Sequence, residues 1–177
     1  MTADIPTDEL DFVQIDQSLV EKAVEALDKA KRAGLKVVTA ESCTGGLIAT
    51  VLSEAPGAAE HFDGGFVAYT PENKCIVLKL DIELLDNYGA VSAPVAAAMA
   101  LGALDRSEAD IAVAVTGVAG PDPDERGNPV GLVYLACARR GEQCLGMKRA
   151  YGDIGRSRIR YAATADALSM IADLAEG

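Results

Sequence analysis

The chain of 177 residues is the size of one ordinary domain, and its 50% hydrophobic content is ample for a core. A formal net charge of -11 sets up a long-range field that repels nucleic acid and anionic membranes, so neither is expected as a partner, and any anionic ligand needs locally placed arginines. Cysteines without a C-x-x-C pair, a single histidine, no basic-then-apolar leader and no apolar run of ~20 residues point to a reducing cytoplasm, with no metal centre and no membrane span.

Residues 1–16 are acidic and without period, and read as a tail ahead of one domain over 17–177. Ser18 followed by Glu21 is a capping-box pattern, and the stripe Leu19, Val20, Ala23, Val24, Leu27 and Ala30 predicts a helix that Gly34 stops. Val37 and Val38 suit a buried strand. The chain then turns through Glu41, Ser42, Cys43, Thr44, Gly45 and Gly46, and the apolar pattern restarts at helical spacing with Leu47, Ile48, Val51 and Leu52. Ser42 therefore stands at a strand-to-helix corner, where free N–H groups from Cys43 to Gly46, backed by the helix dipole, suit an anion or a developing oxyanion. A hydroxyl beside such donors is the skeleton of an acyl-transfer site, and a plain helix cap is the other reading.

Pro56-Gly57 breaks the chain, and Gly64-Gly65 leads into a short strand, Phe66 to Tyr69. Thr70-Pro71 opens a helix that carries Lys74 in its first turn. The dipole disfavours a cation there and burial lowers its pKa further, so Lys74 reads either as a neutral general base or as a solvated surface lysine. Ser92 and Pro94 start an alanine-rich helix to about Leu104, and Asp110 to Thr116 is a continuous apolar strand buried on both faces. The segment from Thr116-Gly117 to Gly131 is rich in Gly, Pro and Asp, and reads as a functional loop or as a disordered insertion. Leu132 to Ala138 and Gln143 to Ala150 form a hairpin around Arg139 to Glu142. A last helix runs from Ile154 or Gly155 to about Leu174, with Arg156 and Arg160 four apart near its N-terminus. Two guanidinium forks on one face could hold a phosphate or could answer surface carboxylates.

These segments together resemble the CinA C-terminal domain family, whose enzymatic members are nicotinamide-nucleotide amidohydrolases. T-A-E-S-C-T-G-G from Thr39 to Gly46 is similar to the family's nucleophile motif. G-F-V-A-Y with Lys74 five residues after Tyr69, G-A-V-S at Gly89 to Ser92, T-G-V-A-G-P at Thr116 to Pro121, P-V-G at Pro129 to Gly131 and R-S-R-I-R at Arg156 to Arg160 follow in the family's order. The resemblance implies a single three-layer α/β/α sandwich with a mixed sheet, no metal, no cofactor, and a homo-oligomer. It implies hydrolysis of the carboxamide of nicotinamide mononucleotide to the acid and ammonia. By the same resemblance Ser42 is the nucleophile, Lys74 its base with Tyr69 assisting, and Thr116 a site hydroxyl. Cys43, Thr44, Gly45, Gly46 and Gly117 line the substrate, and Arg156 and Arg160 take its phosphate. A non-catalytic nucleotide-binding module and an amidase for another amide are the alternatives. The chain departs from the family at Pro123, where a glycine is usual, and at Asn128, where a lysine is usual.

Overall fold

Five buried residues in a row, Val37 to Glu41, make strand β1 (Val37–Glu41), and a strand buried on both faces needs a helical layer on each side. The computed structural model, which describes residues 15–176, shows both layers. β1 lies parallel to β2 (Phe62–Val67) on one side and to β3 (Ile111–Gly117) on the other. The sheet continues antiparallel through β4 (Leu132–Arg139) and β5 (Leu145–Ala150), in the order β2-β1-β3-β4-β5. It is therefore a mixed sheet in a three-layer α/β/α sandwich, the fold class that the resemblance implied.

Alternation along the strands divides the core in two. Val37, Ile111, Val113, Val115, Val133, Leu135 and Cys137 face one way, towards α1 (Gln17–Ala33), α2 (Leu47–Ser53) and α7 (Arg156–Glu176), with the short α3 (Ala58–His61) at the edge. Val38, Ala40, Ala112, Ala114, Ala136 and Ala138 face α4 (Pro71–Leu78), α5 (Ile82–Tyr88) and α6 (Ala93–Asp105). The second face is nearly all alanine, and it meets an alanine-rich helix. Ala96, Met99, Ala100 and Ala103 of α6 are fully buried there, which is why a helix with so little side-chain volume belongs at this place.

Three sequence expectations are corrected locally. The N-cap of α1 is Asp16, whose carboxylate accepts from the Ser18 N–H at 2.9 Å, so the capping-box pattern begins two residues too late. Ile15 packs against the core as well, while the rest of the acidic tail, residues 1–14, lies outside the described residues. The strand expected after Gly64-Gly65 contains them instead, because β2 begins at Phe62 and ends at Val67. A side chain at Gly65 would come within 2.5 Å of the Thr39 hydroxyl on the neighbouring strand, so that glycine marks a close approach and not a turn. The hairpin, the alanine-rich helix and the final helix stand where they were expected, to within a few residues.

Candidate active site

The carboxyl ends of the parallel strands β1, β2 and β3 converge on one crevice, the usual position for a ligand in an open α/β sheet. β1 ends at Glu41, and pairing runs one step further on each side. The Ser42 N–H donates to the Val115 carbonyl at 3.0 Å, and the Ala68 N–H donates to the Glu41 carbonyl at 2.8 Å. Ser42 is thereby held by the sheet before the chain turns. Gly45 and Gly46 then adopt positive φ of 61° and 90°, which a side chain would strain, and α2 begins at Leu47. Within the turn the Gly45 N–H bonds back to the Ser42 carbonyl at 3.0 Å. The Cys43 and Thr44 N–H groups meet no acceptor among the described residues.

Lys74 enters from α4, which starts as expected, with the Thr70 hydroxyl capping Asn73 N–H and Pro71 at the first position. Its side chain is 1% exposed and runs into the crevice, not out to solvent. Nζ donates to Ser42 Oγ at 2.8 Å, to the Ala68 carbonyl at 3.1 Å and to the Tyr69 carbonyl at 3.3 Å. Among the described residues no carboxylate forms an ion pair with it. Burial, only partly offset by the charge of nearby Glu72, pulls the Lys74 pKa down to about 8. The neighbouring Cys43 is different: its thiol is buried in the core, and burial pushes it up to about 12, so it carries no thiolate at neutral pH.

A small cavity of about 140 Å³ opens over this pair, lined by Ser42, Tyr69, Lys74, Thr116, Gly117 and Arg156 among others. Its volume is below the ~300 Å³ usual for a whole ligand, so it can take a ring or an acyl group while the rest of a substrate lies over the rim. Thr116 lines it with a hydroxyl already committed to the Ala90 carbonyl at 2.7 Å, which fixes the wall ahead of α6. A larger hollow of about 590 Å³ between α5 and α6 contains no nucleophile paired with a base.

The arginines separate. Arg156, exposed at the rim, donates to the Gly120 carbonyl at 2.6 Å and to the Tyr69 hydroxyl at 2.7 Å. Arg160, one helical turn further, is partly buried and gives Nε and Nη2 to the Thr44 carbonyl at 3.2 and 2.7 Å, beneath the Ser42 turn and outside the cavity lining. Tyr69 also divides its groups, with its carbonyl on Lys74 and its hydroxyl on Arg156.

Sequence reasoning missed Glu41, whose carboxylate is fully buried at the base of the turn. It also missed Arg126, which ties the long loop to α5 by donating to the Leu85 and Asp86 carbonyls. A charged residue closing a short strand of Val, Thr and Ala was the available signal for Glu41. Asn128 and Pro123, the departures from the family, lie in that same loop, where Asp124 accepts from the Asn128 N–H and side-chain amide at 2.8 Å each. Among the described residues no group of His, Cys, Asp and Glu is placed to hold a metal, and no helix is long and apolar enough to cross a membrane.

Comparison with known proteins places this geometry in a family. The sequence pattern of the CinA C-terminal domain matches residues 16–175. The nicotinamide-nucleotide amidohydrolase PncC of Escherichia coli is 40% identical over 157 residues, 88% of this chain and 94% of that protein. A CinA-like protein of Acidobacterium capsulatum is 44% identical over 138 residues, 78% of this chain and 33% of that protein. The chain spans about a third of the length of several such longer relatives. The crystal structure of the competence/damage inducible protein CihA of Agrobacterium tumefaciens superposes with a TM-score of 0.87 at 45% identity, covering 92% of this chain and 99% of that one. The chain belongs to the CinA C-terminal domain family.

Proposed function

We propose that the chain is an amidohydrolase that converts nicotinamide mononucleotide to nicotinate mononucleotide and ammonia, with Ser42 as nucleophile and Lys74 as base. The observation that carries this reading is the 2.8 Å contact between a buried lysine, which has no ion-pair partner among the described residues, and a serine hydroxyl in a cavity. The likeness to the E. coli enzyme named for that activity supplies the substrate class.

Neutral Lys74 takes the Ser42 proton as Oγ attacks the carboxamide carbon, and the Cys43 and Thr44 N–H groups, which meet no acceptor among the described residues, donate to the oxyanion. The lysine ammonium then returns that proton to the departing nitrogen, and ammonia leaves an acyl-serine. Water enters, Lys74 takes its proton, and as the second tetrahedral species collapses the lysine ammonium returns that proton to Ser42 Oγ, which frees the acid and restores the neutral base. In this scheme the Tyr69 and Ala68 carbonyls aim Lys74. The Tyr69 hydroxyl and Arg156 stand at the rim where the phosphate emerges. Arg160, whose Nε and Nη2 are spent on the Thr44 carbonyl, is assigned to the turn in this scheme, and Arg156 to the phosphate. A homo-oligomer, which rests on the family resemblance, and a cytoplasmic location, which rests on the unpaired cysteines, complete the proposal.

Ammonia release from nicotinamide mononucleotide, its riboside and free nicotinamide tests the reading. Ser42→Ala is expected to abolish release, and Cys43→Ala to retain most of it, because the Cys43 thiol stays protonated and packed in the core. Parental turnover in Ser42→Ala would reject the nucleophile. Rapid release from other amides with none from the nucleotide would leave the apparatus and remove the substrate.

A further inference from the structure

Two charged side chains are buried beside the Ser42 turn, and the proposed reaction employs only one. Lys74 is the base; Glu41, fully buried at the end of β1, has no part in the chemistry. Its carboxylate is nonetheless completely engaged. Oε1 accepts from the Ala49 N–H at 2.8 Å and from the Thr39 hydroxyl at 3.2 Å, and Oε2 accepts from the Ile48 N–H at 3.1 Å. Ile48 and Ala49 are the second and third residues of α2, whose N–H groups have no partner within the helix. The residue that should cap them is Gly46, which has no side chain. A residue of the preceding strand therefore caps the following helix, reaching past the turn that carries Ser42.

This arrangement has two physical consequences. The Ile48 and Ala49 N–H groups at the positive end of α2 are satisfied internally, so they offer nothing to a substrate, and in the proposed scheme oxyanion binding falls to the amides of the turn that precedes them. The Ser42-to-Gly46 segment is also closed into a loop whose two ends, β1 and α2, are locked together by one carboxylate, with Arg160 bracing its middle at the Thr44 carbonyl. Moving that carboxylate moves α2 relative to β1, and the nucleophile and amides between them move as well.

We infer that Glu41 is a positioning residue, which sets the geometry of the Ser42 turn by clamping the first turn of α2 to the end of β1. The inference rests on the amidohydrolase reading of Ser42. Its test uses the full chain with Glu41→Gln, which keeps the size but presents an amide nitrogen to one backbone N–H. A second variant, Glu41→Asp, keeps the charge but withdraws the carboxylate by about 1.5 Å. Folding is checked by circular dichroism and thermal melting. Two rates are followed across the Lys74 midpoint: hydrolysis of nicotinamide mononucleotide, and sulfonylation of Ser42 by phenylmethanesulfonyl fluoride, read by intact mass. In Glu41→Gln, kcat should fall on the order of tenfold to a hundredfold, the loss typical of a misplaced oxyanion donor, with KM nearly unchanged. Sulfonylation should slow in parallel, the pH midpoint should stay in place, and Glu41→Asp should be impaired in the same sense. A folded Glu41→Gln with a lower melting temperature but parental kcat and labelling would overturn the inference, since the clamp would then serve stability alone. A displaced midpoint with parental rates at high pH would overturn it too, because the carboxylate would be acting on Lys74 by charge. Should Glu41→Gln not fold, Glu41→Asp decides by the same criteria. If the parent labels at Ser42 but hydrolyses no nicotinamide nucleotide, the amidohydrolase reading fails and the labelling rates still decide on Glu41. If the parent neither labels nor hydrolyses, both fall.

Discussion

Lys74 shows how a single residue can be a liability to the fold and an asset to the site. A buried ammonium with only neutral acceptors is poorly compensated for its lost hydration, and the pKa of about 8 expresses that deficit. The folded pKa lies below the ordinary lysine value of 10.5, so between these two values the unfolded chain binds more protons than the folded one. The contribution of this group to stability therefore rises with pH across that window and is at its worst below about pH 8. Activity should rise with pH through a midpoint near 8, since only the neutral amine can take the Ser42 proton. Lys74→Met, which fills the same space without a charge, should abolish turnover and raise the melting temperature at neutral pH. A lower melting temperature would show that the three hydrogen bonds outweigh the desolvation. A flat pH profile in the parent would remove the lysine from the role of base.

Between elements, the loop from Val118 to Gly131 is held by side chains that the sequence did not advertise. Arg126 donates to the Leu85 and Asp86 carbonyls near the end of α5, and the same loop offers the Gly120 carbonyl to Arg156 at the cavity rim. Releasing Arg126 should loosen the wall without touching Ser42 or Lys74. Arg126→Ala is therefore expected to raise KM severalfold, to change kcat little, and to open the loop to limited proteolysis. An unchanged KM with unchanged cleavage would show that the Asp124 and Asn128 bonds suffice to hold it. The length and Gly, Pro and Asp content of this loop were legible as a candidate functional segment, and the strand-turn-helix around Ser42 was legible from its periodicities. Lys74 was legible as a candidate base because Thr70-Pro71 fixes where α4 begins. The reach of Glu41 past its own turn, the use of Arg160 on the Thr44 carbonyl and the hold of Arg126 on α5 were not. Each depends on where a side chain ends after elements distant in sequence have packed, and neither residue type nor spacing encodes that. The position of Gly65 inside β2 was misread for a related reason, since its small size answers a neighbouring strand and not a local turn.

At the scale of the whole molecule, the net charge of -11 opposes the substrate proposed for it. Nicotinamide mononucleotide carries a phosphate, so the long-range field raises the free energy of its approach, and only short-range donors at the rim can reverse that. Arg156 is the donor in place, exposed and shared between the Gly120 carbonyl and the Tyr69 hydroxyl with further N–H groups to spare. The two effects respond differently to salt. The Debye length falls from ~30 Å at 0.01 M to ~8 Å at 0.15 M, so salt screens repulsion from distant carboxylates far more than a contact at hydrogen-bond distance. The KM for the nucleotide, which is net anionic despite its pyridinium ring, should therefore fall as salt rises over this range, while the KM for the riboside, a pyridinium cation without the phosphate, should rise. In Arg156→Ala the nucleotide should lose about tenfold in kcat/KM and the riboside little, with the salt trend for the nucleotide preserved, because the repelling field remains. A nucleotide KM that rises with salt in the parent would mean that local attraction dominates the approach, and equal losses for the two substrates in Arg156→Ala would remove the phosphate from the reach of that arginine.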